Sequence, residues 1–309
     1  MSAARFLDHW RPDAAAFVES ELWPNLLAAC AARDIPTMLV NARLSPRSDG
    51  KWNRAPSLAR HLLQGFARIE ARSEEDAARL SALGARAVAV PGDLKFAAPP
   101  LPADAAELRR LEESLNGRPV WLAGSTHPGE DEAVFAAHRA LAPRHPGLLT
   151  ILVPRHPERG PRIAALANGV PAPRRAAGAA PPEAGGIYVA DTLGELGLWY
   201  RLAPVAFIGG SLVPHGGQNP LEAGRLGCAI AAGPHMGNFA AAVAALEQAG
   251  AIGRVADPAE LAAWVGAMLA DPAQRRQMGE AARQAADRWA DLPARCADSL
   301  LALLPRRPA

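Results

Sequence analysis

Short apolar stretches of strand length alternate with longer amphipathic stretches of helix length along almost the whole chain. Buried parallel strands have nearly continuous apolar runs, and helices connect one parallel strand to the next. The alternation therefore predicts an α/β fold built from parallel sheets with helices on both faces. The chain has 309 residues, which is enough for two domains, because a single hydrophobic core rarely grows beyond roughly 250 residues.

The predicted strands fall into two groups, separated by a proline- and alanine-rich segment at residues 97–108 that we interpret as a hinge. The first domain, residues 1–100, is predicted to have four strands, at residues 14–18, 36–40, 66–71 and 86–90, and helices at residues 23–33, 48–64 and 74–83. The second domain, residues 101–309, is predicted to have closing C-terminal helices and six strands, at residues 120–123, 149–153, 187–190, 205–208, 228–231 and 252–255. Four strands are few for a doubly wound domain, so we expect the first domain to be incomplete.

Composition and charge exclude several classes of protein. Half of the residues are hydrophobic and the net charge is only +2, which indicates a folded chain and disfavours a nucleic-acid groove. Cys30, Cys228 and Cys296 are far apart and odd in number, so they predict neither a disulfide framework nor a CxxC metal site. No apolar run reaches the roughly 18 residues that a membrane span needs, and the first residues lack the apolar segment of a signal peptide.

Ligands of open parallel sheets bind at the carboxyl ends of the strands, where helix N-termini offer free N–H groups. Four loops of the second domain follow predicted strands, and together they supply these candidate residues: Gly124, Ser125, Thr126; Pro154, Arg155, His156; Leu193, Gly194, Glu195; and Asn219, Pro220, Leu221, Glu222. By contrast, the segment at residues 168–186 is rich in proline, glycine and alanine, and is predicted to be a solvated loop without chemistry.

The fourth loop is the most informative of these. Asn219 and Pro220 suit the cap and first position of a helix, and glycine pairs leave that helix start open to a phosphate. A carboxylate one turn in, on Glu222, can accept hydrogen bonds from vicinal ribose hydroxyls. Arg155, held between prolines, offers a forked set of donors to an anion. The loop matches neither the P-loop nor the GxGxxG pattern.

Each loop also has a purely structural interpretation. The first loop can be a plain capped turn, the second a solvated basic turn, and the fourth a glycine-rich turn. In the third loop, Thr192 and Glu195 fit a capping box, which would explain both residues without a ligand.

Several motifs, in order along the chain, resemble those of 3-deoxy-D-manno-octulosonic acid (Kdo) transferases. They are ESELWPNL at residues 19–26, NARLS at 41–45, GDLKF at 92–96, GSTHPGE at 124–130, VPRHPER at 153–159, DTLGEL at 191–196, GGSLVPHGGQNPLE at 209–222, and GPH at 233–235 followed by Asn238 and Phe239. The resemblance implies a GT-B fold, with two Rossmann-like domains facing a cleft. It also implies an inverting glycosyltransferase that moves Kdo from CMP-Kdo to a lipid A precursor, lipid IVA, in lipopolysaccharide biosynthesis. Such an enzyme works at the cytoplasmic face of the Gram-negative inner membrane, in peripheral contact with it, and needs no metal or cofactor.

The same resemblance implies roles for individual residues. The candidates in the second, third and fourth loops would bind CMP, and residues 124–126 would face the same cleft. In the first domain, Glu21, Asn41 and Arg43 would line the acceptor and Kdo side.

One departure from the family concerns catalysis. Family members begin with a hydrophobic anchor and carry a Ser-Val-Gly-Glu motif whose glutamate is taken as the catalytic base, and neither feature occurs in these 309 residues. A positioned base contributes about a hundredfold to ten-thousandfold to a rate. The catalytic residue is therefore unassigned, with Glu21 the nearest substitute by position and a helix-start acid before Trp23 as its alternative role. We expect an intact CMP-Kdo pocket and weak or absent turnover.

Two other functions remain open from the sequence. The chain can be a non-catalytic module that binds a CMP-sugar, or another GT-B enzyme of nucleotide sugars, such as a UDP-sugar transferase or an epimerase. Protection of the fold by CMP but not by UDP in a thermal shift assay would exclude the UDP-sugar transferase and the epimerase.

Overall fold

The computed structural model describes residues 2–304, which form two compact units. The N-terminal unit comprises residues up to Ala98 together with the segment from Trp289 onward, and the C-terminal unit is Pro99–Arg288. Within residues 2–304, we find no helix with both the length and the apolar character that crossing a bilayer requires.

The N-terminal unit contains one parallel sheet of four strands in the order β1-β2-β3-β4. Its elements are α1 (Ala3–Trp10), β1 (Ala15–Val18), α2 (Pro24–Ala31), β2 (Thr37–Ala42), α3 (Pro46–Trp52), α4 (Pro56–Gln64), β3 (Arg68–Ala71), α5 (Glu74–Ala82), β4 (Val88–Ala89), a 3₁₀ turn (Leu94–Ala97) and the last helix, α14 (Leu292–Leu301). All four predicted strands are present. The single helix predicted at residues 48–64 is instead two helices, because Pro56 has no N–H to continue a helix and begins a new one.

The C-terminal helix α14 packs on the N-terminal sheet, whereas the sequence analysis assigned the closing helices to the second domain, residues 101–309. Cys296 of α14 joins a buried cluster with Met38 and Val40 of β2. Just before α14, the ring of Trp289 meets that of Phe96 edge-on, with 5.1 Å between centroids. The helical spacing of this segment shows that it has an apolar face, but not which sheet that face covers.

The C-terminal unit contains a parallel sheet of six strands in the order β10-β9-β8-β5-β6-β7. Its elements are α6 (Ala105–Leu115), β5 (Val120–Thr126), α7 (Asp131–Leu141), β6 (Leu149–Pro154), α8 (Gly160–Ala164), β7 (Gly186–Val189), α9 (Leu196–Leu202), β8 (Val205–Ile208), α10 (Pro220–Arg225), β9 (Ala229–Ala232), α11 (Ala240–Gln248), β10 (Ile252–Arg254), α12 (Pro258–Ala270) and α13 (Pro272–Asp287), with short 3₁₀ turns at Ala142–Arg144, Pro157–Arg159, Arg175–Ala177 and Gly237–Phe239. All six predicted strands are present, and the large buried side chains Trp121, Phe135 and Phe207 lie in its core.

The strand order reverses direction beside β5. The chain runs outward from β5 through β6 to β7, then returns to β8 on the other side of β5 and continues to β9 and β10. The loops that follow β5 and β8 therefore diverge and leave a crevice between them. In open α/β sheets, ligands bind at such a switch point, at the carboxyl ends of the strands.

A buried histidine on α7 makes the C-terminal unit sensitive to acid. The His138 ring bonds the Thr150 hydroxyl through Nδ1 at 2.8 Å, and burial, with a smaller contribution from the charge of Arg139, lowers the pKa of His138 to about 4. Because this pKa is depressed from 6.5, the neutral ring stabilises the fold above pH 6.5. That stabilisation is lost as the pH falls from 6.5 through 4, since the unfolded chain then binds the extra proton.

We predict that His138→Gln flattens this acid response. Between pH 7 and pH 4.5, the wild-type chain is expected to lose about 2 kcal/mol more of its free energy of unfolding than the variant. Urea denaturation at the two pH values measures the difference. Glutamine can still bond Thr150, so a variant with the same pH response as the wild type would contradict the assignment of the titrating group.

Candidate functional site

A cavity of about 310 Å³ lies at the carboxyl ends of strands in the C-terminal sheet. All four loops selected from the sequence contribute to its lining. The predicted residues that line it are Ser125, Pro154, Arg155, Leu193, Gly194 and Glu222, and Thr192 and Gln218 join them. The topology, with β5 beside β8, explains how segments so far apart in the sequence form one site.

The end of β5 is shaped by a close approach of β8. A Cβ on Gly209 would lie 2.4 Å from the backbone oxygen of Ser125, so only glycine fits at the end of β8. Ser125 has a φ of +58°, and the pairing of β5 with β6 shifts register between Gly124 and Thr126. Such a bulge turns a side chain away from the regular alternation of a strand. Ser125 consequently lines the cavity.

A buried carboxylate holds the loops after β5 and β8 together. Glu130 is fully buried, and its two oxygens accept backbone N–H groups from His127 at 2.9 Å, Gly210 at 2.6 Å, Ser211 at 2.9 Å and Leu212 at 2.9 Å. From the sequence, Glu130 was noted only as part of the GSTHPGE motif, and this role was not predicted. The sequence signal for this role was the combination of an acid just before a helix with a glycine-rich loop that offers several backbone N–H donors.

The start of α10 is built as predicted. Asn219 is the cap, and its side chain accepts the N–H of Leu221 at 3.1 Å. Pro220 occupies the first helical position, where its missing N–H costs nothing. This geometry places Glu222 in the first turn of the helix, with its side chain at the cavity.

Glu222 and Arg155 line the same cavity from different loops. Burial raises the pKa of the Glu222 carboxyl above its ordinary value, while a hydrogen bond from Asn219 at 3.4 Å and the charge of Arg155 oppose that rise. Arg155 itself is exposed. The site thus combines a sheltered carboxylate, suited to accept from hydroxyl groups, with an accessible guanidinium, suited to bind an anion.

Three histidines from different loops meet beside this cavity. The rings of His127 and His215 lie 3.8 Å apart between centroids, and His156 stands perpendicular to His127 at 6.2 Å. Burial, together with His215 and His156, lowers the pKa of His127 to about 4, so its ring is neutral near pH 7. Gln218, which lines the cavity, approaches His127 Nε2 at 2.9 Å. His156 was predicted from the sequence, but the cluster was not. Among residues 2–304, no set of three or more acidic, histidine or cysteine side chains is placed to hold a metal ion.

The third loop differs from the capping box that fitted its sequence. Helix α9 begins after Glu195, which occupies the cap position without a side-chain cap. Thr192 hydrogen-bonds to the Glu195 carboxylate, and Arg175 binds the same carboxylate at 2.6 Å. Glu195 is therefore engaged in an ion pair and lies outside the cavity lining, whereas Leu193, which is 81% exposed, and Gly194 belong to it.

The loop at residues 168–186, predicted to be solvated and without chemistry, carries two arginines that make ion pairs within the fold. Its Arg174 pairs with the buried Asp191 at 2.7 Å, and its Arg175 bridges Glu107 and Glu195. These ion pairs fix the loop that follows β7. The composition of this segment, which is mostly proline, glycine and alanine, did not indicate that its two arginines make ion pairs.

The remaining predicted residues lie close to the cavity lining without being part of it within the described chain. Each has another position: Gly124 and Thr126 are buried in β5, Pro220 and Leu221 are buried in α10, Asn219 caps that helix, and His156 is exposed beside His127.

The acceptor-side candidates Glu21, Asn41 and Arg43 lie in the N-terminal unit, where Glu21 and Asn41 bond to different neighbours. Glu21 is exposed and accepts a hydrogen bond from Trp23 Nε1 at 2.7 Å. Asn41 is buried with a φ of +53°, and it donates to Asp93 at 3.1 Å and accepts the N–H of Leu94 at 3.0 Å. Asn41 thereby orders a turn at the carboxyl edge of the sheet.

Glu19 is the acid that stands beside Arg43, and the sequence analysis did not select it. Lys95 binds the Glu19 carboxylate at 2.9 Å, and this contact, with the charges of Arg43 and Arg72, lowers the pKa of Glu19. Glu19 also has a φ of +58°, a strained conformation for a residue with a side chain. Strain of this kind is concentrated at functional positions.

Comparison with known proteins supports the motif analysis. The family profile for 3-deoxy-D-manno-octulosonic-acid transferase (kdotransferase) matches residues 1–98. A 3-deoxy-D-manno-octulosonic acid transferase from Bordetella pertussis is 40% identical over 288 residues, which cover 90% of this chain and 66% of that protein. A probable mitochondrial relative of the same name from Arabidopsis thaliana is 37% identical, covering 87% of this chain and 63% of that protein. The chain belongs to the Kdo transferase family.

Members of the Kdo transferase family are glycosyltransferases. This chain spans roughly two thirds or less of the length of the curated relatives named above. The similarity to them nevertheless extends over both units, because it covers nearly nine tenths of the chain.

Solved structures agree with the α/β architecture. The C-terminal CMP-Kdo binding domain of WaaA from Acinetobacter baumannii is 31% identical, with a TM-score of 0.56, and the match covers 58% of this chain and 96% of that domain. A glycosyltransferase from Rickettsia africae, 14% identical with a TM-score of 0.61, matches 97% of this chain and shows the fold alone. The fold is that of GT-B proteins, as the motif resemblance implied.

Proposed function

We propose that this Kdo transferase homologue binds CMP-Kdo through its C-terminal unit. The observation that carries the proposal is the placement of Arg155 and Glu222 in one cavity at the topological switch point. The Glu222 carboxylate would accept hydrogen bonds from the ribose hydroxyls, and Arg155 would bind the phosphate. The Acinetobacter baumannii domain, whose name records CMP-Kdo binding, supports this choice of nucleotide.

The three histidines suit the sugar side of the donor. Gln218 lines the cavity and contacts His127, so the three histidines lie next to the cavity. A sugar attached to a phosphate at Arg155 would extend toward them. The neutral His127 ring can donate or accept a hydrogen bond without repelling a neighbouring cation. An acidic sugar such as Kdo would place its carboxylate among donors from His156, His215 and Arg155.

For the whole protein, the proposed reaction is inverting transfer of Kdo to the lipid A precursor lipid IVA, in lipopolysaccharide biosynthesis at the cytoplasmic face of the Gram-negative inner membrane. Phe6, Trp10 and Trp23 of the N-terminal unit support peripheral membrane contact, because all three expose large aromatic surfaces. Aromatic side chains of this kind are favoured at membrane interfaces. On its own, the 309-residue chain is proposed to bind the donor and to turn over weakly, because the family's Ser-Val-Gly-Glu base is not among its residues.

A chimera tests the proposed function. The matched 288-residue region of the Bordetella pertussis transferase is replaced by this chain, and transfer of Kdo from CMP-Kdo to lipid IVA in vesicles is followed by mass spectrometry. We expect transfer by the chimera and a large loss when it carries Glu222→Ala. A folded chimera that binds CMP but transfers nothing would instead indicate a non-catalytic binding module. Protection of the chain by UDP rather than CMP in a thermal shift assay would indicate a different nucleotide-sugar enzyme.

A further inference from the structure

A second cavity of the C-terminal unit lies at the opposite end of the sheet from the nucleotide cavity. Its volume is about 400 Å³, and its lining includes Val120, where β5 begins, and Pro204, just before β8 begins. The ends of α6, α9 and α12 and the start of α13 complete the wall. It is therefore separate from the site at the carboxyl ends of the strands.

Three arginines from different elements line this second cavity: Arg118 before β5, Arg201 of α9 and Arg275 of α13. The exposed Glu112 is the acidic residue of the lining. Within residues 2–304, none of the three guanidinium groups has a carboxylate within ion-pair distance. This contrasts with Arg159, Arg174 and Arg175 of the same unit, which all pair with acids.

The hydrogen bonds of the three arginines follow a common pattern. In each, Nη1 donates to two backbone carbonyls: those of Pro182 and Glu183 for Arg118, Leu101 and Gly197 for Arg201, and Met268 and Leu269 for Arg275. In the described chain, the Nη2 and Nε groups of all three make no hydrogen bond. The Nε atom of Arg118 is even buried without a partner, an arrangement that costs free energy.

The bonds to neutral carbonyl groups hold the three guanidinium groups in place without forming an ion pair. Capping of the end of α12 accounts for Nη1 of Arg275, but it does not account for three guanidinium groups on one cavity without an ion-pair partner in the described chain. Guanidinium groups that line one cavity are suited to a phosphate group, which offers several acceptor oxygens and two negative charges. Leu115, Leu202 and Leu269 add an apolar wall on which the rest of a small molecule can pack.

We propose that Arg118, Arg201 and Arg275 form a second anion site that binds a small soluble molecule carrying a phosphate or diphosphate group. The site is independent of the nucleotide cavity. Its ligand would join the ends of α6, α9 and α12 to the start of α13, and so stabilise the C-terminal unit.

Pyrophosphate is the probe for this site. Isothermal titration of the full chain is carried out in the presence of saturating CMP, so that the nucleotide cavity is blocked, and is repeated without CMP. We expect pyrophosphate to bind in both cases. Arg201→Gln and Arg275→Gln should each weaken the binding about tenfold, since each removes a charged hydrogen-bond donor, while CMP binding stays unchanged.

Arg283→Gln is the matched control, because Arg283 lies on the same helix as Arg275 but pairs with Glu280 on the surface. It should leave pyrophosphate binding unchanged, and Arg275→Lys, which keeps the charge, should weaken binding less than Arg275→Gln. The proposal is overturned if pyrophosphate does not bind at millimolar concentration, or if folded Arg201→Gln and Arg275→Gln variants bind it as the wild type does. Binding to phosphatidic acid vesicles but not to pyrophosphate would also overturn it. A failure of CMP to bind would contradict the proposed function, but not this site.

Discussion

Replacing Glu130 with alanine is expected to lower the free energy of unfolding of the C-terminal unit by about 4 kcal/mol. The substitution removes the acceptor of four backbone N–H groups in a fully buried position. Each buried donor left without a partner costs about 1–3 kcal/mol, and partial relaxation or entry of water reduces the sum. Losses above about 4 kcal/mol are exceptional for a single substitution, so Glu130→Ala should be among the most damaging changes in this unit.

Urea denaturation at pH 7 measures the effect, and Glu132→Ala is the matched control. Glu132 lies two residues later, exposed in the first turn of α7, so its removal costs less than about 1 kcal/mol, through the helix dipole alone. Glu130→Gln tests the charge separately, because its amide nitrogen would face N–H donors that need an acceptor. A Glu130→Ala variant within about 1 kcal/mol of the wild type would contradict the role of Glu130 in joining the two loops.

Glu222→Ala is expected to weaken CMP binding by about tenfold to a hundredfold. Hydrogen bonds to a charged group contribute about 1.5–3 kcal/mol, and each 1.4 kcal/mol corresponds to a factor of about ten in affinity. The hydrogen bonds that are lost should be those between Glu222 and the ribose hydroxyls. In the wild type, 2′-deoxy-CMP should therefore bind more weakly than CMP, and in Glu222→Ala the two nucleotides should bind nearly alike.

Isothermal titration with both nucleotides gives the complete double-mutant cycle. Glu247→Ala serves as the control, because Glu247 is an exposed acid of the same unit on α11 and lies outside the cavity lining. If the preference for CMP over 2′-deoxy-CMP is the same in Glu222→Ala as in the wild type, Glu222 does not bind the ribose.

The sequence predicted the strands well because buried parallel strands are continuous apolar runs, such as LTILV in β6 and VAFI in β8. It also predicted the start of α10, since Asn219 and Pro220 act locally and need no tertiary contact to favour a helix end. The cavity residues Arg155 and Glu222 followed from a rule about strand ends, which applies to any open parallel sheet.

The features that the sequence analysis missed are those that depend on distant contacts. Glu130 looks like an ordinary acid before a helix, and only the pairing of β5 with β8 brings the N–H groups of residues 210–212 to its oxygens. Thr192 and Glu195 fitted a capping box, but Arg175 is an ion-pair partner that local spacing could not reveal. The packing of α14 on the N-terminal sheet was missed for the same reason, because helical spacing does not identify which sheet a helix covers.

A structure determined from crystals of the chain soaked with CMP tests most directly whether the C-terminal unit binds cytidylate at the switch point. We predict that the nucleotide occupies the cavity between the loops after β5, β6, β7 and β8. A ribose hydroxyl should lie about 3 Å from a Glu222 carboxylate oxygen, and the phosphate should contact the Arg155 guanidinium. Cytidylate bound away from both side chains, in the cavity of Arg118, Arg201 and Arg275 or elsewhere, would contradict the proposed donor site.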